Sequence, residues 1–85
     1  MKLFTVYDSA SKTYSEPRAI KNERDAQDAF EMACKQEDNP FNKHPADYTL
    51  MELGWFDERT GILESQAPKT IINGATFLDA PSTPQ

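Results

Sequence analysis

Residues 22–36, NERDAQDAFEMACKQ, decide the fold, because here the apolar residues recur at a helical period and the flanking residues close both ends. Ala26, Ala29, Phe30 and Ala33 fall at i, i+3, i+4 and i+7, with Met32 and Cys34 beside that stripe. Asn22 suits an N-cap, and Glu23 and Asp25 place carboxylates at the positive end of the helix dipole. Lys35 suits the negative end, and Asp38-Asn39-Pro40 stops the helix. The stripe is narrow and made of small side chains. It therefore predicts a helix lying close against a sheet, with Phe30 as its anchor.

The sequence on both sides supplies the strands. KLFTVY, residues 2–7, alternates Leu3, Thr5 and Tyr7 with Phe4 and Val6, the period of a strand partly buried on both faces. Asp8-Ser9-Ala10-Ser11-Lys12 turns the chain through side-chain hydrogen bonds, and Thr13-Tyr14 resumes β-favouring chemistry, so a hairpin is expected. Pro17 cannot donate to a ladder and places the returning segment at a sheet edge, or ends it. After the helix, residues 40–48, PFNKHPADY, read as an ordered loop stiffened by two prolines, with Asp47 capping a turn into the next strand. Residues 48–56, YTLMELGWF, form the longest expected strand, with Thr49, Met51, Leu53 and Trp55 on one face. Tyr48, Leu50, Glu52 and Phe56 take the other, which Glu52 marks as the wetter. Residues 57–61, DERTG, make a second hairpin turn in which Gly61 supplies the positive φ. A short strand at 62–64, a loop at 66–68, and a strand or short helix at 69–72 follow. Phe77 and Leu78 are placed to dock before a proline-rich tail.

Eighty-five residues make one domain, since two cores would each fall near the ~40-residue lower limit for unassisted folding. With 38% of residues apolar, the core is small, and pairing into a homodimer would add to its stability. A single cysteine and a single histidine exclude an intramolecular disulfide and a zinc cluster. No stretch approaches the ~18 consecutive apolar residues of a membrane span, and MKLFTVYDSA lacks the features of a secretory signal, so a reducing cytoplasm is expected. The net charge of −5 opposes a simple polycationic coat on nucleic acid. Its distribution is uneven. Residues 1–21 hold four basic against two acidic side chains, a net of +2, whereas residues 22–66 hold four against eleven, a net of −7.

Catalytic readings gain little support. His44 is the chain's one imidazole and has Lys43 and Asp47 close by, but Pro45 holds it off helical dihedrals and no nucleophile is positioned to use it. The carboxylates of the helix and of Asp57-Glu58 lack calcium-loop spacing and read as a solvated face. Cys34 reads as a buried small hydrophobe, and three scattered glycines form no phosphate loop. The protein is expected not to be an enzyme and to need no metal or cofactor. The group suited to a ligand is Lys12, Tyr14, Arg18 and Lys21, with Lys2 and Tyr7 nearby, because single-stranded nucleic acid is held by a basic groove interleaved with aromatic surfaces. The competing reading packs both tyrosines with the helix and leaves the lysines to protect an edge strand.

Residues 4–17, FTVYDSASKTYSEP, and 39–63, NPFNKHPADYTLMELGWFDERTGIL, resemble the small nonstructural protein of gokushovirus-type microviruses, phages with circular single-stranded DNA genomes. The likeness lies in a YDS-containing hairpin, a short helix, a K-H-P-x-D-Y corner and an F-D-x-x-T-G turn, and it covers residues 3 to 63. It implies a non-capsid protein of the host bacterial cytoplasm, made during infection, often described as DNA-binding and tied to production of single-stranded genomes. It brings no catalytic residues.

The expectation is thus a single α+β domain over residues 1–78, an antiparallel sheet of three to five strands with one helix on one face, and a flexible tail over 79–85. The expected function is that of a non-enzymatic replication accessory factor binding single-stranded DNA through Lys12, Tyr14, Arg18 and Lys21. The alternative is an acidic adaptor that engages a viral or host replication or assembly protein without touching DNA.

Overall fold

Strand β1 (Lys2–Asp8) is the spine of the molecule, which is known from a computed structural model describing residues 1–79. On one side β1 pairs antiparallel with β4 (Tyr48–Phe56), from Lys2↔Trp55 to Asp8↔Tyr48. On the other it pairs with two short strands, β2 (Thr13–Tyr14) at its end and β3 (Arg18–Ile20) at its start. β5 (Leu63–Asn73) continues beyond β4, giving a five-stranded antiparallel sheet in the order β2-β1-β4-β5, with β3 also on β1. Helix α1 (Glu23–Lys35) supplies the second layer of a single small α+β domain.

Alternation along β1 turns Phe4 and Val6 toward α1, and Leu50 of β4 stands opposite Val6. Phe4, Ala26, Phe30, Cys34 and Leu50 form the buried core, with Phe4 only 1% exposed. Burying each of these large side chains contributes about 1.5–3 kcal/mol, so two phenylalanines and a leucine carry much of a thin margin. The N-cap is the expected one: Asn22 Oδ1 accepts the Asp25 N–H at 2.8 Å.

The corner after α1 holds more structure than a loop. Asn39 Nδ2 donates to the carbonyls of Ala33 and Gln36, at 3.0 and 2.8 Å, and so closes α1. Its Oδ1 accepts the Asn42 N–H at 3.0 Å and starts a one-turn helix, α2 (Pro40–Lys43), in which Pro40 fits the first position. A 3₁₀ turn, Pro45–Asp47, follows with Pro45 buried. Asp47 serves through its carbonyl, which accepts the Ser9 N–H at 2.9 Å. Phe41 meets Phe30 and Tyr48 at ring-centroid distances of 6.0 and 4.6 Å, so the corner is a packed prop.

Two further readings of the sequence are corrected. The face bearing Glu52 is the core face: Glu52 lies at its end, 9% exposed, held by Lys2 Nζ at 3.4 Å and Gln66 Nε2 at 3.2 Å. A bulge at Leu53, where Glu52 faces Phe4 but Gly54 faces Leu3, then flips the parity, so that Trp55 pairs with Lys2 and shares the face of Glu52. The strand, loop and undecided segment of residues 62–72 are in fact one strand, β5. Gln66, Ala67 and Pro68 bulge opposite Leu53, and because β5 is an edge, Pro68 interrupts no central ladder. Phe77, in the short α3 (Thr76–Asp79), docks 5.9 Å from Phe30. Of the segment read as a flexible tail, Asp79 ends α3 and residues 80–85 lie outside those described.

The two hairpin turns share one geometry. In each, an aspartate side chain accepts the N–H two residues on, Ala10 to Asp8 and Arg59 to Asp57, both at 2.9 Å. In each, the aspartate carbonyl accepts the N–H four residues on, Lys12 and Gly61, both at 2.7 Å. That fourth residue is left-handed, with φ of 61° at Lys12 and 76° at Gly61. The left-handed region costs an L-residue about 1–2 kcal/mol, partly offset by the ~0.5–1 kcal/mol of extra chain entropy that glycine loses on folding. Lys12→Gly should therefore raise stability by up to about 1 kcal/mol and Gly61→Ala lower it by about as much. Urea denaturation followed by Trp55 emission checks both signs.

Candidate nucleic-acid interface

Lys12, Tyr14, Arg18 and Lys21 come together as a line along one sheet edge rather than as a cluster. The edge is built from β2 and β3, separated by Ser15-Glu16-Pro17. Ser15 keeps the interrupted strand attached: its N–H donates to the Val6 carbonyl at 2.9 Å, and its Oγ accepts the Val6 N–H at 3.0 Å. Thr5 Oγ1 donates to the Ser15 carbonyl at 2.7 Å. Lys12 sits at the turn, Arg18 opposite Phe4, and Lys21 just past β3, before the cap of α1. The nine steps from Lys12 to Lys21 reach at most about 30 Å at strand rise.

All three cations are exposed. Among the described residues the ion pairs are Lys2–Glu52 and Lys35–Glu31, so none of the three has a carboxylate within bridging distance. Lys2, by contrast, is committed to Glu52 and drops out of the group. Glu16 is the acidic residue on the same edge. Tyr14 is half exposed and lies directly across from Tyr7, with ring centroids 4.7 Å apart and planes at 45°. Tyr7 alternates away from Phe4 and Val6, so the pair sits on the face opposite α1, and packing of the tyrosines with the helix does not occur. Arg18, paired with Phe4, projects on the α1 face, so a strand following this edge would stack a base on Tyr14 on one face and meet Arg18 on the other.

His44 and the carboxylates are placed elsewhere. His44 is exposed at the end of α2, its N–H given to the Pro40 carbonyl at 2.9 Å, and among the described residues no His, Cys, Asp or Glu side chains group as metal ligands. Glu31 pairs with Lys35 at 2.6 Å along α1, and Asp57 caps its own turn. The sequence left the setting of Trp55 open. Trp55 is 46% exposed, and the hairpin beyond α1 also exposes Ile62 and Leu63. The run WFDERTGIL carries that signal, but only the bulge at Leu53 reveals which way Trp55 faces.

A small α+β domain, a five-stranded antiparallel sheet with α1 across one face and two one-turn helices beside it, is the class this fold defines. Residues 1–77 match the family described as Phage ORF5 protein, and the chain belongs to that family. It is therefore a phage protein, made in a host cell. Among the described residues no helix is long and apolar enough to cross a membrane. Comparisons with curated proteins and with solved structures found no match.

Cys34 is buried at the helix–sheet contact, and burial first, then the charge of Glu31, raises its pKa above the ordinary 9.0. A folded-state pKa above the unfolded one stabilises the fold fully below that unfolded value, and the contribution is lost as pH rises through the folded value. The thermal midpoint should accordingly fall above about pH 9 more steeply in the natural protein than in Cys34→Ala. A thiol reagent at pH 8 should label Cys34 only after denaturant is added.

Proposed function

We propose that this phage protein is a non-enzymatic accessory factor in viral genome replication or single-stranded DNA production, and that it binds single-stranded DNA along the β2–β3 edge. The observation that carries the reading is the alignment of Lys12, Arg18 and Lys21 along one edge, without carboxylate partners among the described residues, with the Tyr7–Tyr14 pair at the turn end of that edge on the face opposite Arg18. Lys12, Arg18 and Lys21 hold phosphates, and Tyr14 offers its free face to a base. The −7 of residues 22–66 keeps the interaction weak and salt-sensitive. The likeness of residues 4–17 and 39–63 to the nonstructural protein of gokushovirus-type microviruses supports the same setting, in the bacterial host cytoplasm. No cofactor enters this reading. A homodimer would bring two such edges to one strand and multiply their reach.

The exposed Trp55, Ile62 and Leu63 favour a second reading, in which an acidic, apolar-tipped hairpin engages a viral or host replication or assembly protein and DNA is not bound. Fluorescence anisotropy of a labelled single-stranded oligonucleotide at low salt separates the two. The first reading expects saturable binding, preferred over duplex. In Lys12→Ala/Arg18→Ala/Lys21→Ala, which alters only exposed side chains, affinity should drop at least tenfold and the log–log salt slope flatten by about 2, from ~0.7 per phosphate contact. A flat titration of the natural protein at low salt, with capture of a viral replication protein lost in Trp55→Ala/Leu63→Ala, would favour the second.

A further inference from the structure

The sheet face opposite α1 bears no helix among the described residues, because α2 and α3 both pack on Phe30 from the α1 side. Its composition follows from the register, since residues directly opposite in an antiparallel pair share a face. Lys2 and Asp8 alternate with Phe4 along β1, Arg18 and Glu52 stand opposite Phe4, Glu64 stands opposite Trp55, and Lys69 stands opposite Glu52. Every charged residue of the five strands therefore lies on the α1 face. The other face carries Leu3, Tyr7, Tyr14, Met51, Phe56 and Leu63 among small and neutral polar residues, and no charge.

We infer that this face is the interface of a homodimer, in which a second copy of the chain lays its own uncharged sheet face against it across a two-fold axis near Met51. The inference does not depend on DNA binding. Charge is the first reason. The uncovered face of an antiparallel sheet ordinarily takes the polar half of the alternation, yet here the ions are all on the covered side. Copies with a net charge of −5 repel one another, and on this face two of them meet without opposing like charges. A two-fold interface sets a patch against itself, which disfavours a patch of one sign and suits a neutral one rich in Tyr, Phe and Met. Hydrogen bonding is the second reason. Thr5 Oγ1 donates to the Ser15 carbonyl at 2.7 Å, Asn73 Nδ2 donates to Thr49 Oγ1 at 2.9 Å, and Asn73 Oδ1 accepts the Ala75 N–H at 2.8 Å. Those polar side chains are satisfied within the chain, so covering them leaves no orphan group. Ser65 and Thr70, exposed on the outer strand β5, fall at the wet rim. Area is the third. A sheet four strands wide and as long as β4 has a planar footprint of about 500–600 Å². Ruffled side chains exceed their footprint, which brings two copies to the ~1,200 Å² at which specific interfaces begin. Tyr14 lies on the outermost strand, so the two basic edges border the dimer and do not enter it.

The test is sedimentation of the full chain over a concentration series, with circular dichroism and a melt to check the fold of each variant. The natural protein is expected to approach twice its 9.6 kDa in the micromolar range. Met51→Lys brings two ammonium groups together at the axis and should weaken the dimer at least tenfold. Met32→Lys makes the same change on the exposed side of α1, where Met32 is 70% exposed, and should leave the dimer intact. Should Met51→Lys not fold, Thr70→Glu places a charge on an exposed position of the same face and carries the same expectation. A dimer that survives the charge on this face, as pairing along the β5 edge would, overturns the assignment. So does a single 9.6 kDa species at every concentration, whether or not single-stranded DNA or another protein then covers the face. The anisotropy titration of the natural protein decides the DNA reading separately.

Discussion

The contact on which everything else depends is that of Phe4 with the alanine-lined face of α1 and its anchor Phe30. Phe4 lies on the central strand, so the partners on both sides of β1 are registered to it, and α1 can settle over it only because Ala26 and Ala33 let the helix come close. Phe41 and Phe77 then close on Phe30 from two further elements, at 6.0 and 5.9 Å, edge to face. Four aromatic rings thus stand in for the larger core that a chain of this length cannot build.

That arrangement covers one face of the sheet and leaves one edge interrupted. Pro17 prevents β2 and β3 from joining, and Ser15 holds the interruption in place through bonds to Thr5 and Val6. Lys12, Arg18 and Lys21 are thereby set out along an edge that carries one carboxylate, Glu16, while most of the acidic residues lie on α1, the corner after it and the second hairpin. An acidic protein can in this way present a local basic track, since exposed charges farther away than about 8–10 Å are largely screened at physiological salt.

The corner at residues 39–48, with the chain's single histidine, is scaffolding. Asn39 ends one helix and begins the next, Pro45 is buried, and Phe41 leans on Tyr48. The two aspartate turns are likewise structural, and their shared hydrogen bonds account for the parallel between YDSASK and FDERTG that the sequence displays. Lys12 does double duty there, as a left-handed turn residue and as a cation of the candidate edge.

By itself the sequence determined the limits of α1, the course of β1 and β4, both turns and the membership of the candidate edge. Each of these is written in residues within about four positions of one another, as caps, periods and side-chain turns. It also gave Cys34 as a buried hydrophobe. Only the tertiary structure decided that residues 63–73 form one strand, because Pro68 and its neighbours are acceptable only opposite a bulge in β4 and at an edge. Tertiary structure likewise turned Glu52 toward the core and Trp55 onto the same face, since a single extra residue at Leu53 reverses every later side chain. The uncharged face opposite α1 was equally invisible, for its membership is set by the pairing register and the bulges, and no strand records the register of its partner.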